Sequence, residues 1–298
     1  MELRHIEAFL AVAEELHFGR AAERLRMAQS PLSQTIRKLE KDVGAPLFER
    51  NTRSVTLTTA GHSLLPHARR ILEEVDLARR AVSAGTGTVY GKLAIGFSGA
   101  LNHATLPPLT RALRQQHPQL DVTLHGGLLT QEALQQLGNG ALDLAFIGLP
   151  VDAPSLATRL IATERLGATL PADHPLAGRA SVGMSELAGD PFITMPASQG
   201  STLREITFAA CAAAGFRPRI SQEVADPYTA LSLVAGGVGV SLMPESIEGI
   251  MPAGIVFLPL DGDDVLLLSG LAWNPGSMSP AVRAALLVAE EVLPTPEG

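Results

Sequence analysis

The stretch from Glu2 to Thr58 constrains this chain more than any other, and its centre reads SPLSQTIRKLEKD, Ser30 to Asp42. Ser30 is a good helix N-cap, and Pro31 suits the first helical position. Leu32, Ile36 and Leu39 recur at steps of four and three, which gathers them on one helical face. Ser33, Gln34, Arg37, Lys38 and Lys41 fall on the other side. Such a helix can dock its apolar stripe into a core while hydroxyl, amide and cationic groups look outward. A helix lying in a DNA major groove needs that arrangement. Many solvated helices share it, so the neighbouring residues must decide.

Upstream, Leu3, Ile6, Phe9, Leu10 and Ala13 form another helical stripe. Arg20 to Arg26 reads as a short helix with Ala21, Ala22 and Leu25 inward, and small alanines permit close helix crossing. Only Met27 to Gln29 separate it from the next helix, so the pair predicts a helix-turn-helix. Downstream, Leu47 and Phe48 are apolar anchors. Arg50 and Arg53 flank a turn, and Ser54 to Thr58 alternates toward a short strand, as in a β-wing with two arginines near its tip.

The pieces LRHIEAFLAVAEELHFGRAAERL, AQSPLSQTIRKLEKDVGAPLFER and VTLTTAG are dense and collinear, and over Glu2 to Leu65 they resemble the N-terminal domain of LysR-type transcriptional regulators. The resemblance implies that the helix after Ala28-Gln29 enters the major groove and that the wing arginines approach the minor groove or backbone. Carried over position by position, it implicates Gln29, Ser30, Pro31, Ser33, Gln34, Arg37, Arg50 and Arg53 in DNA contact. Two departures stand out. Gln34 occupies a place where many members carry arginine, and glutamine pairs with adenine whereas arginine favours guanine. Gly19 sits where many carry a serine or threonine cap, which weakens that cap slightly.

A net charge of −7 over 298 residues looks wrong for a DNA binder until it is divided. Residues 1–90 hold 13 basic and 11 acidic side chains, a balance of +2, and the remainder holds 10 and 19, a balance of −9. Within 20–53 there are 8 basic and 4 acidic residues. The cationic footprint is local, and an acidic body follows it. Aromatic residues make up only 4%, which argues against a stacking platform for single-stranded nucleic acid.

Other classes find little support. Cys211 is the only cysteine, so neither an internal disulfide nor a thiolate cluster is available, and its alanine-rich surroundings suggest a buried structural thiol. The eight histidines form no HExxH pattern, and no GxSxG elbow occurs. No catalytic residue, metal site or cofactor is expected. Glu2, Arg4 and Glu7 interrupt any apolar leader, and no stretch is long and apolar enough to span a membrane. The expected location is the cytoplasm.

Thr59 can cap a helix running to about Ala84. Leu64, Ala68, Ile71, Val75, Ala78 and Val82 step along it in a near-heptad pattern, flanked by Leu65, Leu72 and Ala81. Such a seam can pack on its own domain or on a second copy. The resemblance implies antiparallel pairing of two such linker helices in a DNA-binding dimer. GTGT at 85–88 then loosens the chain.

Beyond Gly91, strand-like and helical segments alternate, which predicts an α/β body with a mostly parallel sheet and helices on both faces. Strands are expected over Lys92 to Phe97, Leu120 to His125, Leu142 to Ile147 and, later, Val265 to Trp273; helices over Leu106 to Gln116, Gln131 to Gly138 and Leu203 to Ala214, with a final one from Ser279-Pro280. The patterning, LDLAF at 142–146 and VAGGVGVSLMP at 234–244 resemble the effector-binding domain of the same family, itself like a periplasmic solute-binding protein. The architecture so implied is α/β: an all-α winged helix-turn-helix (1–58), a linker helix and hinge (59–88), and a two-lobed body (89–298). Lobe I would hold about 91–161 plus 268–298, and lobe II about 162–267. Two crossing strands would join the lobes, leaving near Arg159 to Thr163 and returning near Leu268 to Leu271. GGVGV follows a helix and precedes a strand, the reverse of a dinucleotide fingerprint, so Gly237 and Gly239 read as turn and close-approach glycines.

The interlobe cleft would be lined by strand ends and helix starts: Ser98, Gly99, Asn102 and His103; Thr130; Gly148; Ser201 and Thr202; Asp226. Three helix N-termini there would favour a small anion, because their N–H groups are free. Leu128 and Leu129 suggest an apolar wall, and hence a carboxylate with a hydrocarbon or aromatic body. Arg204 either adds charge or points to solvent. The function expected is a sequence-specific regulator of transcription, bound to double-stranded DNA and modulated by a small anionic effector. It would form a homo-oligomer, with a tetramer favoured by two distinct self-contacts per subunit, and would recruit RNA polymerase if an activator. A constitutive architectural or repressor protein without an effector is the other reading, and it leaves the two-lobed body idle.

Overall fold

The computed structural model describes residues 1–50, 55–83, 89–262 and 264–296. The chain divides into two compact units, with the break at Gly91/Lys92.

The first unit begins with helix α1 (Leu3–Glu15), α2 (Phe18–Arg24) and α3 (Gln29–Val43), followed by the short strands β1 (Phe48–Arg50) and β2 (Val55–Leu57) and the long α4 (Thr59–Ser83). Leu32, Ile36 and Leu39 are fully buried, as the spacing required, against Ile6, Phe9, Phe18 and Phe48. Phe48 meets Phe9 and Phe18 at ring-centroid distances of 5.4 and 6.0 Å. Glu40 reaches from α3 to the wing, its Oε1 accepting the N–H groups of Leu47 (3.0 Å) and Phe48 (3.3 Å). Gly44, at φ 76°, ends α3 in the left-handed region that glycine enters freely. Gly61 has no room for a side chain, because a Cβ there would run into the carbonyl of Leu47.

Three helix starts differ from expectation. Helix α2 begins at Phe18, and its cap is His17, whose Nδ1 accepts the N–H groups of Gly19 (3.1 Å) and Arg20 (3.2 Å). Gly19 is therefore inside the helix and not its cap; a Cβ there would lie 2.9 Å from the His17 ring. Helix α3 starts at Gln29, two residues early, with extended Ala28 as a cap that makes no side-chain hydrogen bond. Ser30 and Pro31 become its second and third residues. Proline is tolerated there because first-turn N–H groups have no intrahelical acceptor to lose. Helix α4 is capped by Thr58, whose Oγ1 accepts the Gly61 N–H at 3.0 Å, and Thr59 is its first residue.

The near-heptad seam of α4 is partly consumed at home. Ala68 is fully buried, and Leu64, Leu65, Ile71 and Leu72 pack on the first unit's own core. Farther along, Val75 is half-buried and Ala78 exposed.

In the second unit, β3 (Gly91–Gly96), α5 (Leu106–Gln116), β4 (Leu120–His125), α6 (Thr130–Gly138) and β5 (Leu144–Leu149) build one lobe. The long β6 (Ala157–Pro171) leads to the other, built from β7 (Pro191–Thr194), α7 (Thr202–Ala213), β8 (Arg219–Glu223), α8 (Pro227–Ala235), β9 (Ser241–Pro244) and β10 (Ile255–Pro259). Strand β11 (Leu266–Trp273) returns, and α9 (Pro280–Val292) closes the chain against α5 in the first lobe. Ser279 caps α9, its Oγ accepting the Val282 N–H.

The sheet order is β10-β6-β11-β5-β3-β4, with β9 also on β6. β3 pairs β5 in parallel and β7 pairs β8 in parallel. The pairs β11/β5, β11/β6, β10/β6 and β9/β6 are antiparallel. The expectation of a mostly parallel sheet is thus corrected. The physical reason is the crossing: β6 leaves one lobe and β11 returns to it beside β6, so the joining strands run in opposite directions. Each lobe has its own apolar centre, with Ala133, Leu137, Leu142 and Ala145 in the first and Leu170, Phe192, Leu231 and Met243 in the second.

Candidate functional site

Two surfaces collect the residues that the sequence singled out. The first is the outer face of α3. Burial of Leu32, Ile36 and Leu39 forces Gln34 and Arg37 outward, and both are exposed, as are Gln29, Ser30 and Pro31; Ser33 is half-buried. Several cations of this unit are already paired: Arg20 with Glu15, Arg24 with Glu14, and Lys38 with Glu2 at 3.2 Å. Arg26, Arg37 and Lys41 make no ion pair among the described residues. Lys38, expected among the outward polar groups, is a clamp to α1: its hydrogen bond holds the Glu2 carboxyl below the usual carboxylate range, aided by Arg4. The terminal amine does the same for Asp42, 2.9 Å away. Arg50 closes β1. Arg53 lies outside the described residues.

The second surface is a recess of about 440 Å³, counted with its open mouth, in the second unit. Of the nine residues expected at a cleft, six line it: Ser98, Asn102, Thr130, Gly148, Ser201 and Thr202. Gly99, His103 and Asp226 do not. Asp226 caps α8, its carboxylate accepting the N–H (2.8 Å) and hydroxyl (2.7 Å) of Thr229. The His103 ring lies 2.9 Å from the Ala100 carbonyl. Gly99 holds φ 102° beside Asp226. Two helix N-termini, of α6 and α7, therefore reach the recess, and that of α8 does not.

The lobes touch within it. The Thr130 and Thr202 hydroxyls stand 3.4 Å apart across the lobes, and within the first lobe the Gly148 N–H donates to Thr130 Oγ1 at 3.1 Å. The Gln131 N–H donates to the Gly200 carbonyl at 3.4 Å. A Cβ on Gly148 would come within 2.5 Å of Thr202, so glycine is what lets the lobes meet there. On the far side, Ser98 donates both its N–H (2.9 Å) and its hydroxyl (3.1 Å) to Asn102 Oδ1.

Leu128 and Leu129 form the apolar wall as expected, joined by Phe146, Ile147, Leu203 and Leu267, and Ser269 adds a hydroxyl. Sequence reading missed these last five. Leu267 and Ser269 share one side of β11 by the two-residue period, but nothing local says which side faces a cleft. Arg204 is neither in the recess nor free in solvent. It donates to the Met195 carbonyl (2.7 Å) and Glu223 (2.8 Å), and its guanidinium lies 4.5 Å from the Phe208 ring centre. Among the described residues no cluster of metal-ligating side chains occurs, and no helix is long and apolar enough to cross a membrane.

Comparison with known proteins agrees with this geometry. Residues 3–62 match the family model for the bacterial regulatory helix-turn-helix protein of the lysR family, and residues 86–294 match that for the LysR substrate binding domain. The chain is 48% identical over 292 residues to the transcriptional regulator ShiR of Corynebacterium glutamicum, covering 98% of this chain and 99% of that protein. It is 34% identical to AlsR of Bacillus subtilis, covering 95% and 93%. The crystal structure of full-length CbnR with its target DNA superposes with a TM-score of 0.73 at 27% identity, covering 98% of this chain and all of that one.

Proposed function

The chain belongs to the LysR family of sequence-specific DNA-binding transcriptional regulators, and from that premise we propose how its two units divide the work. Helix α3 reads the major groove with Gln34 and Arg37, while Gln29, Ser30, Pro31 and Ser33 set its approach to the backbone. Arg50 and Arg53 secure the wing. The recess of the second unit takes a small anionic effector, held by hydroxyls and by the N–H groups at the starts of α6 and α7. Effector binding shifts the populations of assembly shapes in a homo-oligomer, and so changes how DNA is bound and polymerase recruited. The α4 seam serves assembly. A tetramer satisfies one contact through α4 and another through the bodies.

One observation carries the DNA reading: Arg37 stands exposed, and without an ion pair among the described residues, on a helix whose opposite face is locked in a core. In a DNA selection with full-length protein, Gln34→Arg should change the preferred bases. Arg37→Ala should weaken binding and lower the salt slope by about one. Unchanged sites and slopes in both variants, with folding intact, would remove α3 from the reading.

A further inference from the structure

The turn between α2 and α3 holds a cation that the packing of the first unit does not call for, and we propose that this residue, Arg26, is a further DNA contact that grips a phosphate just ahead of the reading helix. The proposal rests on the reading of α3 as the helix that enters the groove, and adds a residue that sets affinity without choosing bases.

Helix α2 ends in a turn closed by two nested hydrogen bonds. The Met27 N–H donates to the Ala22 carbonyl and the Arg26 N–H to the Glu23 carbonyl, both at 3.0 Å. That closure needs a left-handed residue just after the C-cap, Leu25, and Arg26 stands there at φ 53°. Glycine or asparagine is the usual occupant, because any Cβ crowds the following carbonyl oxygen in this region. The end of α3 shows the ordinary solution, with Gly44 at φ 76°. Arginine therefore holds its position at a cost to the fold.

Its side chain gives nothing back. It is exposed, and makes no ion pair or hydrogen bond among the described residues. Glu23 offers Arg26 its carbonyl and not its carboxylate. Arg20 and Arg24, on α2 itself, are tied to Glu15 and Glu14. Positive φ alone marks no contact, since Leu16 has it too, at φ 46°, with no group for DNA. Arg26 joins that strain to a charge and to a place. Every residue from Arg26 to Pro31 is exposed, so the turn and the start of α3 form one open run. A recognition helix sends its N-terminal residues to the base edges, and phosphates border the groove it enters. A guanidinium three residues ahead of Gln29 stands at that border, and its forked N–H groups match phosphate oxygens. Such a contact positions α3 and reads no sequence.

DNA titrations of the full-length protein over a range of salt, paired with melting curves, test this. Arg26→Asn removes the cation and suits the left-handed backbone. It should raise the melting temperature of the first unit and yet weaken DNA binding, by about three- to tenfold near physiological salt, equally on selected and random duplexes. Its salt slope should be shallower by about one per bound subunit, with the selected bases unchanged. Arg26→Lys keeps both the charge and the strain, and should keep the parent's slope and melting temperature. Leu16→Asn relieves the same backbone region with no cation to lose, and should leave the slope alone. A melting gain with an unchanged slope in Arg26→Asn would make the arginine an idle occupant of its turn and overturn the proposal. A lower melting temperature in that variant, altered base preference, or an equal loss of slope in Leu16→Asn overturns it as well. The Arg37→Ala variant separates this failure from a larger one. If Arg37→Ala lowers the slope and Arg26→Asn does not, only the phosphate contact falls; if neither does, α3 is not the DNA-facing helix.

Discussion

The first unit exposes charge and the second hides polarity, and the two do so by different devices. On α3, three buried aliphatic residues fix the rotation of the helix, so its polar side chains need no further support to face outward. In the recess, rotation about one helix decides nothing. Its six polar side chains come from two lobes and a crossing strand. A groove-reading face therefore follows from one periodic stripe, whereas a ligand pocket follows from many single turns. The first unit should fail when its core fails, and the second when its lobes are held apart.

Ile36→Ala offers the largest separation of the two. Ile36 is fully buried beneath α3, and the truncation should cost about 2–5 kcal/mol within the first unit. Scanning calorimetry should show the low-temperature part of the profile moving down while ligand binding to the second unit persists. Loss of both together would mean that the units do not fold as separate bodies.

Gly148→Ala strikes the other side of the comparison. Its new methyl would meet Thr202 at 2.5 Å, and overpacking of this kind costs about 1–3 kcal/mol. Effector binding should fall and the α3-dependent DNA selection should keep its base preference. Adding Thr202→Gly, which removes the obstructing side chain, should restore the melting temperature of the body. If it does not, contact between the lobes at this point is not what Gly148 permits.

How much of this was legible follows from the same contrast. The stripe Leu32, Ile36, Leu39 needed only helical spacing, and α5 and β4 begin and end where their patterns do. The helix starts were harder. Histidine is not a common cap, so His17 was passed over, and Gly19 took a role that its position inside α2 excludes. Serine and threonine at strand-to-helix turns pointed to Ser98, Thr130, Ser201 and Thr202, because caps are local. Ser269 and Leu267 were out of reach, since they come from a strand more than sixty residues beyond α7's start and enter the site only by pairing with β5 and β6. Asp226 has the same local signature as Ser201, yet α8 points its start elsewhere. Which caps converge is a property of the tertiary fold.

The cap itself gives a smaller effect. His17→Ala removes the acceptor for two N–H groups at the start of α2 and should lower the stability of the first unit by about 0.5–2 kcal/mol. His17→Asn supplies a side-chain acceptor again and should recover most of that loss in the same denaturation experiment. An equal loss for both variants would show that the ring's packing on Gly19, and not its nitrogen, supports the helix.

The smallest expected effect separates the clamp on α3 from its DNA-facing side. Lys38 shares the polar arc with Arg37 but is hydrogen-bonded to Glu2, which lowers the Glu2 pKa from its ordinary 4.5. A carboxyl whose folded pKa is depressed adds stability that is present above its unfolded value and is lost as pH falls through the folded one. The Glu2 contribution is therefore complete above about pH 4.5 and disappears on further acidification. Both partners are largely exposed, so the effect on overall stability is slight and screened by salt. The side-chain carbonyl resonance of Glu2 is the direct probe. Its midpoint should lie below 4.5 in the parent and move toward that value in Lys38→Met, while Arg37→Ala leaves it where it was. If Arg37→Ala moves the midpoint as far as Lys38→Met does, the two cations act as one field over the helix, and the division of α3 into a clamping side and a reading side fails.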